Sequence, residues 1–500
     1  MNTVLYDQVR RNFAWLSAIP RASKDTARVS AALAAWARER NLRTWSDTYG
    51  NLVIFKPASA GRETECPLAL QAHLDMVAQK LPESSHDFSH DGIELHEEDG
   101  WLSAVGTTLG ADDGAGVAIC MAVLENNELS HPALEIILTV DEEIGLVGAK
   151  KMDCSAISAR RMLNLDLTVP DVFVVGCCAG TDITCELPLS AQEATCAHAE
   201  LTLAGLLGGH SGIDIALGHK NSALLMAELL TTLNSQLISR TEGAIELGLV
   251  SFHAGEKENA IPANARAEVA LLARRTPAPA PSTVDTPHDL QKLFLEIVGE
   301  LAASLSSAAP LEPGATLATN WLGTITTQVA DARATQNAIA FLTALPQGVL
   351  RMSDDFPGAI ETSDNVSMVS MDTPSQLQVL ISIRTNVKGG EKPLVDAVDL
   401  AARHAGCTFK LTGGYEPWQA DVSSSFLLEA QAVYRALFGV PVALTTTHGG
   451  LECGVFSDKL PRLEVFSVGP RIEGAHTPHE RMELDTFERL CAFVEALLKR

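Results

Sequence analysis

The sequence predicts an α/β protein in which a mixed, largely parallel sheet is flanked by helices and interrupted by an inserted α+β domain. Three observations carry this. Short β-branched apolar runs such as LEIILTV (134–140) alternate with helical stretches through the first 180 residues, as parallel strands joined by helices do. Near residue 183 the pattern changes to alternating strands and long amphipathic helices, which favours antiparallel pairing, and from about Asp421 helix-plus-strand units return. Finally, 500 residues are too many for one ordinary core, so a domain split by an insertion is expected. The expected boundaries give residues 1–182 and 417–500 to the split domain and 183–416 to the insert.

Taken in order, residues 5–41 have helical periodicity through Val9, Phe13 and Leu16, then through Val29, Leu33 and Trp36. NLVIFKPA (51–58) and PLALQAHLD (67–75) read as strands. GTTLGADDGAGVAICMAVLENN (106–127) is a glycine-rich loop feeding a buried helix. The run at 134–140, RMLNLDLT (161–168) and VFVVGCCAG (172–180) continue the sheet. In the insert, AHAELTLAGL (197–206) is a half-exposed strand and 219–237 a long helix, followed by the strands LGLVSFHAG and ARAEVALLA. TPAPAPSTVDTP (276–287) reads as an exposed connection, 288–305 as a helix, and GVLRMS, NVSMVSMD and QLQVLISIRTN as strands. Asn259 and Asn365 each precede a strand, a faint echo of two related halves. The last part reads as a helix at 424–439, strands at 441–450 and 462–470, and a helix at 484–499.

A formal charge of −25 and a pI of about 4.9 argue against binding nucleic acid or an anionic membrane. The N-terminus lacks the apolar core of a signal peptide, and no stretch reaches 18 apolar residues, so no membrane span is expected. The ten cysteines form no C-x-x-C pair; free thiols in a reducing cytoplasm are the expectation.

The chemistry gathers at strand ends. The run 134–140 stops in Asp141, Glu142 and Glu143, three acids that repel one another unless a lysine and water, or a metal, sits among them. PLALQAHLD ends in His73 and Asp75, two apart and so on one face, where the carboxylate can orient the imidazole. Asp112 and Asp113 start a helix, where an acid serves as a cap or as a ligand. Asp166 lies inside an apolar strand and needs a partner there, and His476 and His479 occupy a Gly/Pro-rich loop. Mixed imidazole and carboxylate donors suit zinc, manganese or cobalt, and a shared carboxylate allows two ions roughly 3.5–4 Å apart.

HLDMV, GTTLGADDGAGVA, DEEIG, LNLD, GGHSG, ENAIP, HGGLECG and GAHTPHE resemble, in order, the motifs of the M20 metallopeptidases, and best those of the family's aminoacyl-histidine (Xaa-His) dipeptidase branch. The resemblance implies a zinc-exopeptidase-like catalytic domain with a lid, two divalent ions (zinc, with cobalt or manganese as alternatives) and a small peptide substrate. By motif, His73, Asp112, Glu143, Asp166 and His476 hold the ions, with Asp112 bridging them. Asp75 orients His73, and Glu142 is the general base. His210 stabilises the oxyanion, Asn259 and Arg384 clamp the substrate, and Gly450 lets it approach backbone. His448 and His479 receive no role. In this family the lid His often acts across a homodimer, although a doubled lid could supply that contact in one chain. Alternatives keep the fold with another dipeptide, a tripeptide or an N-acyl amino acid as substrate, or make the chain an inactive peptide-binding scaffold. Asp113 and Asp141 depart from common family residues and add negative charge.

Overall fold

The computed structural model describes residues 4–274, 286–308, 312–415, 417–419 and 421–500. The chain divides into two compact units, Met1–Cys177 with Trp418–Arg500, and Cys178–Pro417. The first division falls five residues before the expected 182/183 because the strand Ala179–Pro188 pairs along its whole length with Gln376–Thr385 in the second unit. No described helix is long and apolar enough to cross a membrane.

Among the described residues the first unit holds an eight-stranded sheet in the order Arg43–Ser46, Leu52–Lys56, Leu134–Thr139, Leu68–His73, Arg161–Asn164, Glu464–Ser467, Val172–Cys177 and Ala443–Thr447. The four strands from Leu134–Thr139 to Glu464–Ser467 are mutually parallel, so their C-terminal ends share one edge, where open α/β sheets build their sites. Leu134–Thr139 and Leu68–His73 are buried at every position, which accounts for their mostly apolar character on both faces. Glu135, the acid within that run, is satisfied by Ser158 N–H and O–H and by Ala159 N–H. The helix Ala111–Glu125 is buried on nearly all sides, as its Ala/Val/Met/Leu content requires. The helical stretch 5–41 is two helices, Val4–Ser17 and Ala27–Glu39, separated by a loop that contains Pro20. Arg161–Asn164 ends earlier than expected, so Asp166 lies just beyond the strand and not within it.

The second unit holds a nine-stranded antiparallel sheet among its described residues, and the sheet is a doubled one. Ala191–Ala204, Ile245–Ala254, Ala265–Ala273 and Thr316–Ala330, with the helices Ser222–Arg240 and Pro287–Ala308, form one βαββαβ half. Ala179–Pro188, Ile360–Thr373, Gln376–Thr385 and Thr408–Tyr415, with Ala332–Ala344 and Lys392–Ala405, form the other, and Gly348–Met352 pairs alongside. In both halves the first strand lies between the third and fourth, and the two second strands join them through Phe252–Met371, His253–Ser370 and Ala254–Val369. Leu230, Leu233, Phe294, Ile297, Phe341 and Val398 of the helices pack on Leu201, Leu249, Val379 and Ile381 of the sheet. The Asn259/Asn365 echo therefore has a counterpart in topology: the strands that follow are the third strands of the two halves. The residues themselves differ, since Asn259 is exposed and Asn365 is buried within a second strand. Thr316–Ala330, Ala332–Ala344, Lys392–Ala405 and Thr408–Tyr415 had no counterpart in the sequence reading. The proposed connection at 276–285 lies outside the described residues, and Pro287 already begins a helix.

Candidate metal centre

The candidate metal ligands of the first unit and Glu142 gather at the C-terminal edge of the parallel strands. His73 ends Leu68–His73, Glu142 and Glu143 follow Leu134–Thr139, and Asp166 follows Arg161–Asn164. Asp112 lies in a non-helical turn at the head of Ala111–Glu125, and His476 sits in the hairpin between Ile472–Glu473 and Arg481–Glu483. One ligand atom each from His73, Asp112 and Glu143 lies within 4.8 Å of the others. Asp112 spans two donor groups. Its Oδ1 is 3.2 Å from His73 Nε2, which is itself 3.5 Å from Asp166 Oδ1. Its Oδ2 is 3.4 Å from His476 Nε2, which is 3.1 Å from Glu143 Oε2.

Asp75 holds the other side of the imidazole: His73 Nδ1 is 3.1 Å from its carbonyl and 3.4 Å from its Oδ1. That contact favours the tautomer with Nε2 unprotonated, the one a ligand needs. The Asp75 carboxylate also accepts from Glu142 N–H (3.0 Å), Glu143 N–H (3.3 Å) and Ser23 O–H (2.8 Å), so it locks the base of the acidic triplet as well.

The charges do not balance by themselves. Burial, reinforced by Asp112, pushes Asp166 up to about 7 against the opposing pull of His73. Burial, with Glu143, Asp166 and Glu452, raises Glu142 well above the carboxylate range, and burial with Asp112 raises Glu143. For His73 burial disfavours the cation, but Asp166, Asp112 and Asp75 outweigh it and lift the pKa well above normal. Glu143 Oε1 is buried with no hydrogen-bond partner. A crowded set of carboxylates, two imidazoles and an orphaned carboxylate oxygen fit divalent cations, which supply the missing positive charge.

The two unusual acids point to other work. Asp141 Oδ1 accepts the Lys24 backbone N–H at 2.6 Å, tying the acidic turn to the interhelix loop. Asp113 is buried and accepts from His73 N–H (3.2 Å) and Gly116 N–H (3.0 Å). Burial, with Asp166 and Asp112, raises its pKa well above normal against the pull of His73.

The remaining candidates are placed as follows. Gly450 is half-buried in the loop between Ala443–Thr447 and Glu452–Lys459 of the first unit. His210, Asn259 and Arg384 belong to the second unit. His210 pairs with Ala260 in a two-stranded ribbon, and its Nδ1 accepts from the N–H groups of Gly212 and Ile213, both at 3.1 Å. Gly209 before it has φ +129°, and a Cβ there would meet Asp214 Oδ2 at 2.8 Å, the atom that accepts His210 N–H. Asn259 is exposed, and its carbonyl accepts Ser211 N–H. Arg384 is half-buried on Gln376–Thr385, with Nη1 3.7 Å from Cys178 Sγ.

The model of peptidase family M20/M25/M40 matches residues 69–500. The chain belongs to the M20 peptidase family. It is a metal-dependent hydrolase. Among curated proteins, this M20 peptidase is 34% identical over 493 residues to the cytosol non-specific dipeptidase of Escherichia coli K12, covering 97% of this chain and 96% of that one. Among solved structures it is similar to aminoacylhistidine dipeptidase from Vibrio alginolyticus, with 32% identity, a TM-score of 0.74, and 98% and 96% of the two chains covered. A tripeptidase of Staphylococcus aureus, at 15% identity and a TM-score of 0.54 over 99% and 98% of the chains, shares the fold.

Three supporting residues of the M20 peptidase escaped sequence reasoning. Arg21, 2% exposed, donates through Nη1 to the carbonyls of Leu74 and Asp75, both at 3.0 Å, and through Nη2 to that of Gly110. It joins the strand end bearing His73 to the loop bearing Asp112, yet an arginine in a loop leaves no periodic trace. Glu452 and Glu480 lay inside quoted motifs, and only their surroundings show what they hold.

Proposed function

We propose that the chain is a cytoplasmic dinuclear metallodipeptidase acting on dipeptides, preferentially those with C-terminal histidine. The observation that carries this is Asp112, one carboxylate facing His73 and Asp166 on one side and His476 and Glu143 on the other. Those residues would hold two divalent ions, most simply zinc, which supply acidified water and a polarised peptide carbonyl. Glu142, on the same turn and with its pKa raised by burial, takes the proton from water and passes it to the leaving amine. Asp75 keeps the His73 ring in its tautomer. His210, whose Nδ1 is occupied by two backbone donors, carries its proton on Nε2 and offers it to the developing oxyanion. Arg384 grips the C-terminal carboxylate in bidentate fashion, Asn259 assists it, and Gly450 admits the substrate backbone.

The dipeptide substrate is supported by the names of the two relatives above 30% identity, and the cytoplasmic location by the name of one of them. Metal analysis should find about two zinc-like ions per chain; fewer than one sinks the dinuclear reading. Glu142→Gln should keep the ions and lower kcat by roughly 10²–10⁴-fold, and retained turnover would mean another base. The E. coli relative is called non-specific and the Vibrio one aminoacylhistidine dipeptidase, so a panel of dipeptides decides the preference. Equal kcat/KM for Xaa-His and Xaa-Ala would remove it and leave the dipeptidase.

A further inference from the structure

We propose that Glu480 is a positioning residue of the metal centre, setting Asp112 in place through its backbone; the inference rests on the dinuclear reading above. The hairpin of Ile472–Glu473 and Arg481–Glu483 grips the loop 109–112 twice. His476 meets the Asp112 side chain, at 3.4 Å from Oδ2. Glu480, four residues further on and 3% exposed, takes the backbone. Its Oε2 accepts from Leu109 N–H (2.8 Å) and Gly110 N–H (2.9 Å), and its Oε1 from Ala111 N–H (2.8 Å) and Asp112 N–H (3.3 Å). Each oxygen therefore serves two donors, and the last of the four is the amide of Asp112 itself. The four donors lie in the turn that leads into the helix, since Asp112 (φ −82°, ψ 107°) and Asp113 (φ −108°, ψ 37°) are not helical.

Both ends of this clamp are rigid. Within the hairpin, Thr477 N–H and O–H donate to the Gly474 carbonyl at 3.1 and 2.7 Å, and Glu480 N–H donates to the Thr477 carbonyl at 3.1 Å. Those turns fix the spacing between His476 and Glu480. On the far side of the loop Arg21 holds the Gly110 carbonyl. A Cβ at Gly110, where φ is +68°, would lie 2.6 Å from Arg21 Nη2, so the loop passes between arginine and glutamate with no room for a side chain. Asp112 must present one oxygen to each donor group, and a shift of its backbone would spoil both contacts together. Glu480 does not touch the reacting atoms in this reading; it acts through Asp112.

The test is calorimetric titration of metal-free protein with Zn²⁺, alongside steady-state kinetics at saturating Zn²⁺. Glu480→Gln keeps the size but turns one acceptor into a donor facing two N–H groups. It should weaken binding of at least one ion tenfold or more and lower kcat tenfold or more, with KM changed less than threefold and the far-UV circular dichroism unchanged. Glu473→Gln, in the same hairpin but paired outward with Arg481, should change neither. Zinc affinity within twofold of wild type in Glu480→Gln, or an equal loss in Glu473→Gln, overturns the proposal. If Glu480→Gln does not fold, Glu480→Asp is read by the same criteria; if neither folds, the residue is merely structural and the proposal falls. Wild-type protein that takes up no pair of ions overturns the dinuclear reading as well, which sets that failure apart.

Discussion

At the scale of single residues, environment assigns the acids their work. Asp141, Glu142 and Glu143 are chemically alike and adjacent, yet Asp141 anchors the Lys24 backbone while Glu143 faces His476. Glu142 carries a pKa raised by burial and by its acidic neighbours. The identity of these residues was legible in sequence because carboxylates at the end of an apolar strand are conspicuous. Their partners were not, since Lys24 contributes only a peptide N–H that any residue would have. Asp364 makes the same point in the second unit. It is 2% exposed, its Oδ2 has no partner, and burial pushes its pKa up to about 7. An unfolded aspartate ionises near pH 4, so between about pH 4 and 7 the folded state holds a proton the unfolded state has lost, and stability falls as pH rises through that window. The full penalty, on the order of 4 kcal/mol, is present above pH 7. Asp364→Asn should therefore show a Tm advantage over wild type that grows from pH 4 to 7 and then levels off. A difference independent of pH would refute this account of Asp364.

At the scale of elements, the parallel strands are held in register beneath the site by a buried polar chain. Asn164 Nδ2 donates to Gln71 Oε1 at 2.5 Å, Gln71 Nε2 donates to Glu452 Oε2 at 2.5 Å, and Thr139 O–H donates to the same oxygen at 2.6 Å. This joins three strands whose ends carry Asp166, His73 and the acidic triplet to the helix Glu452–Lys459. Glu452 is fully buried, its Oε1 lacks a partner, and burial pushes its pKa up to about 8, so it sits there as the neutral acid. Glu452→Gln can reproduce the acceptor and should cost less than about 1 kcal/mol, whereas Glu452→Ala leaves Thr139 O–H and Gln71 Nε2 only their longer contacts to the Ala72 carbonyl (3.3 Å) and Thr139 Oγ1 (3.4 Å), at roughly 1–3 kcal/mol. Urea denaturation of the pair checks this; equal losses would mean that packing, not hydrogen bonding, is what Glu452 supplies. The elements themselves were readable where burial imposed a period, as in Ala265–Ala273, and unreadable at the sheet edge. Thr316–Ala330 is an edge strand with only Val329 and Ala330 buried, so it needed no apolar run.

At the scale of the whole molecule, both ends of the chain build one unit, and the second unit repeats a βαββαβ half within a single sheet. The two halves of that sheet are joined by pairing between Ile245–Ala254 and Ile360–Thr373. Because His476 comes from the last part of the chain and His73 and Asp112 from the first, ion binding should also report on folding of the split unit. Removing divalent ions with EDTA should abolish hydrolysis and lower Tm, and Zn²⁺ should restore both. At a free ion concentration 100 times Kd, linkage contributes about 2.7 kcal/mol per site. A Tm indifferent to the chelator would place the ions outside the folding linkage.

By itself the sequence determined the class of the fold, the existence of an insert and the residue types at the strand ends. These follow from local period and from motifs whose spacing is covalent. Only the tertiary structure decided how far Asp112 lies from each imidazole, that the insert is one doubled sheet, that Arg21 and Glu480 bond the loop before Asp112, and that Glu452 bonds the strands beneath it. Those facts depend on contacts between residues as far apart as Asp112 and Glu480. Such a pairing leaves no periodic mark in either segment, because a hydrogen bond to a backbone N–H or carbonyl constrains only one of its two residues.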